Sequence, residues 1–147
     1  MAEKKQIELK GQQVLQAYQA EQAKLEDLQR RMKGLQTLMV ETAAAEQSLN
    51  EISKSGKNQK IMVALGGGIY VDATLESTKK VKVGLGDGVL MGETLEKSLK
   101  DLVARAKEIQ KDIISVQKAE SATMQNLRNI GSAIESARQK DAEAAKN

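Results

Sequence analysis

Residues 61–91 alternate apolar and polar side chains with a period of two, and this strand-like block lies between two long stretches of helical periodicity. The segments KIMVALGGGIYVDATL and VKVGLGDGVLM, joined by ESTKK, predict four short antiparallel strands arranged as two hairpins. Successive strand residues point to opposite faces. Ile61, Val63, Leu65, Ile69, Val71, Ala73, Leu75, Val81, Val83 and Leu85 therefore share one face, with Met62, Tyr70, Asp72, Thr74 and Lys82 on the other. Gly66–Gly68 and Gly86-Asp87-Gly88 supply the positive φ angles of tight hairpin turns. Four strands of about five residues with open edges do not make a stable domain alone in water. The hairpins are expected to meet hairpins of other chains. The candidate assembly residues are Ile61, Val63, Leu65, Ile69, Tyr70, Val71, Val81, Val83, Leu85, Val89, Leu90 and Met91.

Before this block, from about Glu3 to Lys54, apolar residues recur in alternating steps of four and three: Ile7, Val14, Tyr18, Leu25, Leu28, Met32, Leu35, Met39, Leu49, with Gly11, Glu21, Thr42 and Glu46 filling the remaining positions. Such a seam of period 3.5 requires a partner helix. After Met39 a second stripe, Leu38, Ala45 and Ile52, competes with it. Ser55-Gly56 is expected to end the helix, with Gly56 in a left-handed cap. On the far side, Gly92 is expected to break the last strand and Thr94 to cap a second helix. Its seam runs through Leu95, Leu99, Leu102, Ala106, Ile109, Ile113, Val116, Glu120, Thr123, Leu127, Ile130, Ile134, Ala137, Asp141 and Ala144. At about 1.5 Å per residue each helix would span roughly 75 Å. Antiparallel pairing within the chain places Leu49 beside Leu99, Leu35 beside Ile113 and Val14 beside Ile134. The fold class is thus α+β, a long antiparallel two-helix coiled coil with two central hairpins. Its segments are residues 1–56, 57–92 and 93–147.

Composition removes several function classes. Among 147 residues there are two Tyr and no Phe, Trp or Pro, so the volume that a compact core draws from aromatics is missing. The absence of Cys fits a reducing compartment, and without His the commonest general base and transition-metal ligand are gone. No enzyme activity, cofactor or metal is expected. No apolar run reaches the roughly 20 residues of a membrane span, and MAEKKQIELK lacks a signal peptide's apolar region. A cytoplasmic protein without a membrane partner is expected. Net charge is +3 and the charges are interspersed, which reads as solvated helix faces rather than a nucleic-acid surface.

Gly84-Leu85-Gly86-Asp87-Gly88 superficially has the composition of a phosphate loop, but a strand-like VLM follows it where such loops open a helix. It reads as a hairpin turn. Glu120, in the second seam, either sets register or snorkels outward, and the second reading is favoured. Gly34 permits either a close helix approach or a bend. The arm ends carry the binding candidates: Ile7, Leu9, Val14, Leu15 and Tyr18 on the first helix; Met124, Leu127, Ile130 and Ile134 on the second. Leu9 and Leu15 lie off the seam and have no internal partner, as interaction sites often do.

A long helix, two hairpins carrying LGGGIYVDATL and VKVGLGDGV, and a second helix of equal length resemble the prefoldin alpha-type subunit over nearly the whole chain, and look like its archaeal member. Leu65–Val71 and Val81–Val89 carry the likeness, and two hairpins rather than one separate the alpha from the beta type. Ala64 departs from the pattern, where many relatives have Pro. The resemblance implies a hexamer of two alpha-type and four beta-type subunits, with the hairpins joined into an intersubunit β-barrel platform. It also implies ATP-independent capture of unfolded polypeptides and their delivery to a group II chaperonin. A filament or spacer assembled through the same hairpins is the alternative.

Overall fold

The computed structural model describes the backbone of Ala2–Ala144 and the side chains of residues 11–139. Its elements are helix α1 (Ala2–Lys54), strands β1 (Lys60–Gly66), β2 (Ile69–Thr74), β3 (Lys80–Gly86) and β4 (Val89–Thr94), and helix α2 (Leu95–Ala144). Compact packing divides them into a central unit, residues 37–110, and a terminal unit, residues 1–36 with 111–147.

In the central unit the strands form two separate two-stranded sheets, β1 with β2 and β3 with β4. Ile61 faces Ala73 and Val63 faces Val71, so these pairs share a side of the first hairpin as the alternation predicts. The second hairpin repeats the first twenty residues later: Lys60↔Thr74 and Lys80↔Thr94 open them, and the register slips after Ala64 in one and after Gly84 in the other. Each turn has two central residues of positive φ, Gly67 and Gly68 (59° and 79°) in the first, Asp87 and Gly88 (48° and 77°) in the second. That is the turn whose twist matches a right-handed two-stranded ribbon. The preceding Gly66 and Gly86, at φ 100° and 103°, carry the bulge.

Three local expectations need correction. Gly92 does not break β4; it pairs with Lys82, and the strand runs on to Thr94. Gly92 keeps a strand conformation between Met91 and Glu93, each of which has its own partner on β3. Thr94 does cap α2, its Oγ1 accepting the backbone N–H of Lys97 at 3.3 Å. At the end of α1 the left-handed residue is Asn58 (φ 63°), not Gly56. The last turn closes instead by Ser55 N–H donating to Ile52 O at 3.1 Å, and Asn58 N–H then reaches Leu75 O at 3.1 Å at the base of the first hairpin. Finally, the flanking helices, whose elongated shape predicts that they leave the hairpins bare, do shelter part of one of them: Val81 and Val83 share the walls of one hollow with Ala45 and Leu49 of α1 and Leu102 of α2.

The helical seam follows the expected positions. Within the central unit Leu95 and Ile109 are buried, and Leu38, Met39, Ala45, Leu49 and Ile52 are half-buried together, so the two competing stripes merge into one broad band. Asn50 of α1 and Leu99 of α2 border one hollow, in keeping with Leu49 beside Leu99. In the terminal unit Val14, Tyr18, Leu25, Leu28, Met32 and Leu35 are half-buried, Val116 and Thr123 are buried, and Ile113, Leu127, Ile130 and Ile134 are half-buried. Asn126 of α2 touches Glu21 of α1, as antiparallel pairing requires. The seam fades at Gly11 and Ala137, both exposed, where side chains too small to reach a partner occupy the register. Asp141 and Ala144 lie outside the described side chains. Glu120 is half-buried with neither oxygen among the buried unpartnered atoms, which fits the outward-snorkelling reading. Gly34 is exposed, and a Cβ built there meets nothing within 4 Å, so it serves no close helix approach.

Candidate assembly and client surfaces

The hairpins expose apolar surface that the isolated chain does not cover. Ten of the fifteen exposed large apolar side chains among the described residues lie on them: Met62, Val63, Leu65, Ile69, Tyr70, Val71, Leu85, Val89, Leu90 and Met91. Of the sequence candidates, only Ile61, Val81 and Val83 are half-buried. Ile61 and Val81 sit toward the open end of their hairpins and Val83 at mid-strand. Each two-stranded sheet also keeps both of its edges unpaired. Surface apolar residues scattered singly are ordinary, but a patch this concentrated marks an interface.

Met62 lies on the opposite face, outside the expected assembly set, yet at 69% exposure it is as bare as any residue in that set. Because both faces of a free two-stranded hairpin are open, face assignment alone does not exclude a residue from contact. The twenty-residue repeat itself was also legible: Lys60, Val63, Leu65, Gly66, Gly68, Thr74 and Leu75 recur as Lys80, Val83, Leu85, Gly86, Gly88, Thr94 and Leu95.

Where the repeat departs from itself, chemistry enters. Ala73 of the first hairpin corresponds to Glu93 of the second, whose side chain is only 8% exposed. Glu93 pairs with Lys97 through Oε1 and accepts a bond from Ser98 Oγ through Oε2 at 2.7 Å. The Lys97 bond first, and the Ser98 bond second, hold its carboxyl below the ordinary carboxylate value. Lys97, which also donates to Asp101 at 3.3 Å, is held above the ordinary lysine value, chiefly by Glu93. This knot ties β4 to the first turn of α2.

The client candidates lie in the terminal unit. Leu15 is 53% exposed and Met124 is 39% exposed, whereas Val14, Tyr18, Leu127, Ile130 and Ile134 are half-buried in the seam. Ile7 and Leu9 lie outside the described side chains. Missed by sequence reasoning are Glu21 and Thr123: Glu21 Oε2 and Thr123 Oγ1 are buried without a hydrogen-bond partner in the protein. Among the described residues, no group of three His, Cys, Asp or Glu is placed to hold a metal, and no helix is long and apolar enough to cross a membrane.

Residues 21–140 match the Prefoldin family, described as prefoldin subunit. The chain belongs to the prefoldin family. Its structure is similar to that of filamentous PFD from Methanocaldococcus jannaschii, determined by cryo-EM, with a TM-score of 0.65 and 17% identity over 82% of this chain and 98% of that one. At that identity the likeness speaks for the prefoldin fold alone: two long packed helices and two antiparallel hairpins. No curated protein matches the chain in sequence at a significant level. Prefoldin is a family of chaperone subunits, not a class of enzymes, and the apolar hairpins and paired helices are the parts this chain brings to that role.

Proposed function

We propose that this chain is an alpha-type prefoldin subunit that joins beta-type partners, two alpha with four beta, through its hairpins. The proposed complex holds unfolded polypeptides without ATP and passes them to a group II chaperonin in the cytoplasm. The observation that carries the reading is the concentration of bare apolar side chains on two hairpins with unpaired edges, while the helices beside them keep a largely closed seam. Strand addition from other chains satisfies both the edges and the apolar faces at once. Leu15 and Met124, with the seam residues around them, offer several small apolar contacts, each weak and summed over the arms of an assembly.

Deleting the residues before Tyr18 and after Ile130 tests the client assignment. The assembled complex is expected to keep its mass and lose most of its suppression of aggregation. Full suppression by an intact truncated complex overturns it.

A second reading has one observation in its favour: the fold matches that of a filamentous prefoldin. Two hairpins of near-identical geometry are suited to heterologous contacts, which propagate when the rotation does not close. Native mass measurement after co-expression with a beta-type subunit separates the two. One closed mass supports the hexamer, and a ladder of masses supports the filament.

A further inference from the structure

We infer that strand β2 of one copy of this chain adds to strand β3 of a second copy, antiparallel, with Asp72 opposite Lys82 and Tyr70 opposite Gly84. This rests on the assembly reading above and names one partner and its register. Of the two acidic side chains on the four strands, Glu93 is engaged by Lys97 and Ser98, and Asp72 is not engaged at all. In its own hairpin Asp72 faces Met62, and Lys82 faces Gly92. Both are exposed, and neither has an ion-pair partner among the described residues. Each lies on a strand whose outer edge is unpaired.

Antiparallel addition with these two residues opposed matches the strands on both faces. Counting outward from Asp72 and Lys82, Val71 and Ala73 meet Val83 and Val81 on one face, while Tyr70 and Thr74 meet Gly84 and Lys80 on the other. A slip of one residue sets apolar against polar side chains. A slip of two in either direction separates Asp72 from Lys82 and Tyr70 from Gly84. Gly84 leaves room for a ring: only Leu90 Cδ2 comes within 4 Å of a Cβ built there, at 3.9 Å. An aromatic side chain laid over a strand glycine from the neighbouring strand restores the cover that glycine lacks. Tyr70 is 60% exposed and faces only Ala64 in its own hairpin, so its ring is free for that place.

The same register fills a void. Val81 and Val83 wall a hollow of about 440 Å³ with Ala45, Leu49 and Leu102, and protein interiors leave few gaps of that size empty. Addition of β2 at the edge of β3 carries Val71 and Ala73 to the mouth of this hollow, on the face that Val81 and Val83 turn to the helices. The two strands do not meet in this way within one chain. Leu75, just after β2, donates to Gln59 O at 3.0 Å and accepts Asn58 N–H at 3.1 Å, and Lys79, just before β3, accepts Leu95 N–H at 2.9 Å. These bonds keep the hairpins as separate sheets, so the added strand comes from a second copy, which carries both the acidic and the basic edge. The edges of β1 and β4 remain for other subunits.

Sedimentation velocity of the full-length chain tests the pairing. Asp72→Lys sets lysine against lysine and Lys82→Asp sets aspartate against aspartate, so each variant alone should self-associate several-fold more weakly than the native chain. Mixing the two variants restores opposite charges at every contact, as does Asp72→Lys with Lys82→Asp in one chain. Both should recover native association at unchanged helicity, which mixing would not do for a merely structural loss. Disulfides read the register, since the chain has no cysteine. Val71→Cys in one copy should cross-link to Val83→Cys in another, and far less to Val81→Cys or Leu85→Cys, the positions of the two-residue slips. Single variants that associate as the native chain does, a mixture no better than its parts, or equal cross-linking at all three positions overturns the inference. So does a chain that stays monomeric alone and responds to the swaps only beside a beta-type subunit, whose strand is then the occupant. Leu65→Glu with Leu85→Glu keeps the two failures apart. If it abolishes assembly and the swaps do nothing, only this pairing falls; if it leaves assembly intact, the hairpin interface falls and the pairing with it.

Discussion

Thr42 and Thr123 are each sealed inside a helix–helix seam, one in the central unit and one in the terminal unit, and their hydroxyls fare differently. Thr42 donates to Leu38 O, and Ser98, the other buried hydroxyl of the central unit, donates to Glu93. Thr123 donates to nothing, and Glu21 of the same unit has a buried oxygen in the same condition. The central unit thus keeps its polar side chains inside its seam by giving each a partner. The terminal unit buries them at a net cost. A coiled coil tolerates a polar seam residue as a specificity device, but an unpartnered one weakens the helix pair where it occurs. The difference therefore concerns where the helices hold and where they yield.

The largest effect is expected where the chain is least covered. Leu65→Glu with Leu85→Glu places charges on side chains that are 66% and 61% exposed in the single chain, so the fold of the chain itself has little to lose. Assembly is expected to disappear in native mass spectra while far-ultraviolet circular dichroism stays strongly helical. A complex of unchanged mass would mean that the hairpins are not the interface. Next in size, Ile109→Ala in the central seam should cost about 2–5 kcal/mol by urea denaturation, since Ile109 is 4% exposed. Leu15→Ala, off the seam, should stay within about 0.5 kcal/mol. Similar costs for both would show that the seam is not where stability resides.

The threonine pair gives the sharpest contrast. Thr123→Val removes an orphaned hydroxyl and should stabilise by roughly 1 kcal/mol. Thr42→Val removes a satisfied one; the Leu38 carbonyl keeps its helical partner, so the change should be close to zero or slightly destabilising. Equal responses would erase the distinction between the units.

Much of this architecture is legible in the residues. The period-two run and its glycine steps fix two hairpins with the observed turns, and the 3.5 period fixes the half-buried positions from Val14 to Ile134. What escaped was decided by partners rather than by period. Gly92 stays in β4 because Lys82 lies opposite it, and Asn58 takes the left-handed conformation because its N–H must reach Leu75 O. Neither neighbour is adjacent in sequence. Likewise, Thr42 and Thr123 hold comparable seam positions, and no pattern distinguishes the one that back-bonds from the one that does not. For the candidate surfaces, the exposed hairpin residues and Leu15 follow from patterning. The orphaned atoms at Glu21 and Thr123 require coordinates.

Acid should act on the junction of β4 and α2 within the central unit. Glu93 is held below its ordinary value by Lys97 and Ser98, so it contributes stability above the unfolded carboxylate value near 4.5. That contribution is lost as pH falls through the depressed folded value. Lys97, raised mainly by Glu93, contributes below about 10.5 and loses that contribution as pH rises through its raised value. The attachment of β4 to α2 should therefore loosen at both extremes and hold between them. Protection factors of the β4 amides, taken against the intrinsic exchange rate at each pH, should fall below pH 4.5, and Glu93→Gln should flatten that acid limb. An acid limb unaltered in the variant would take Glu93 out of the account.

The smallest expected effect bears on the helix backbone alone. Gly34 sits in the terminal unit's part of α1, exposed, with open space around a built Cβ, so alanine there creates no clash and fills no contact. What changes is the unfolded state: glycine surrenders more backbone freedom on entering a helix than alanine does. Gly34→Ala should therefore stabilise by up to about 1 kcal/mol, seen as a higher urea midpoint at unchanged slope. A midpoint left where it stands in the native sequence would show that the helix is frayed at residue 34, so that alanine's restricted backbone has no folded turn there to favour.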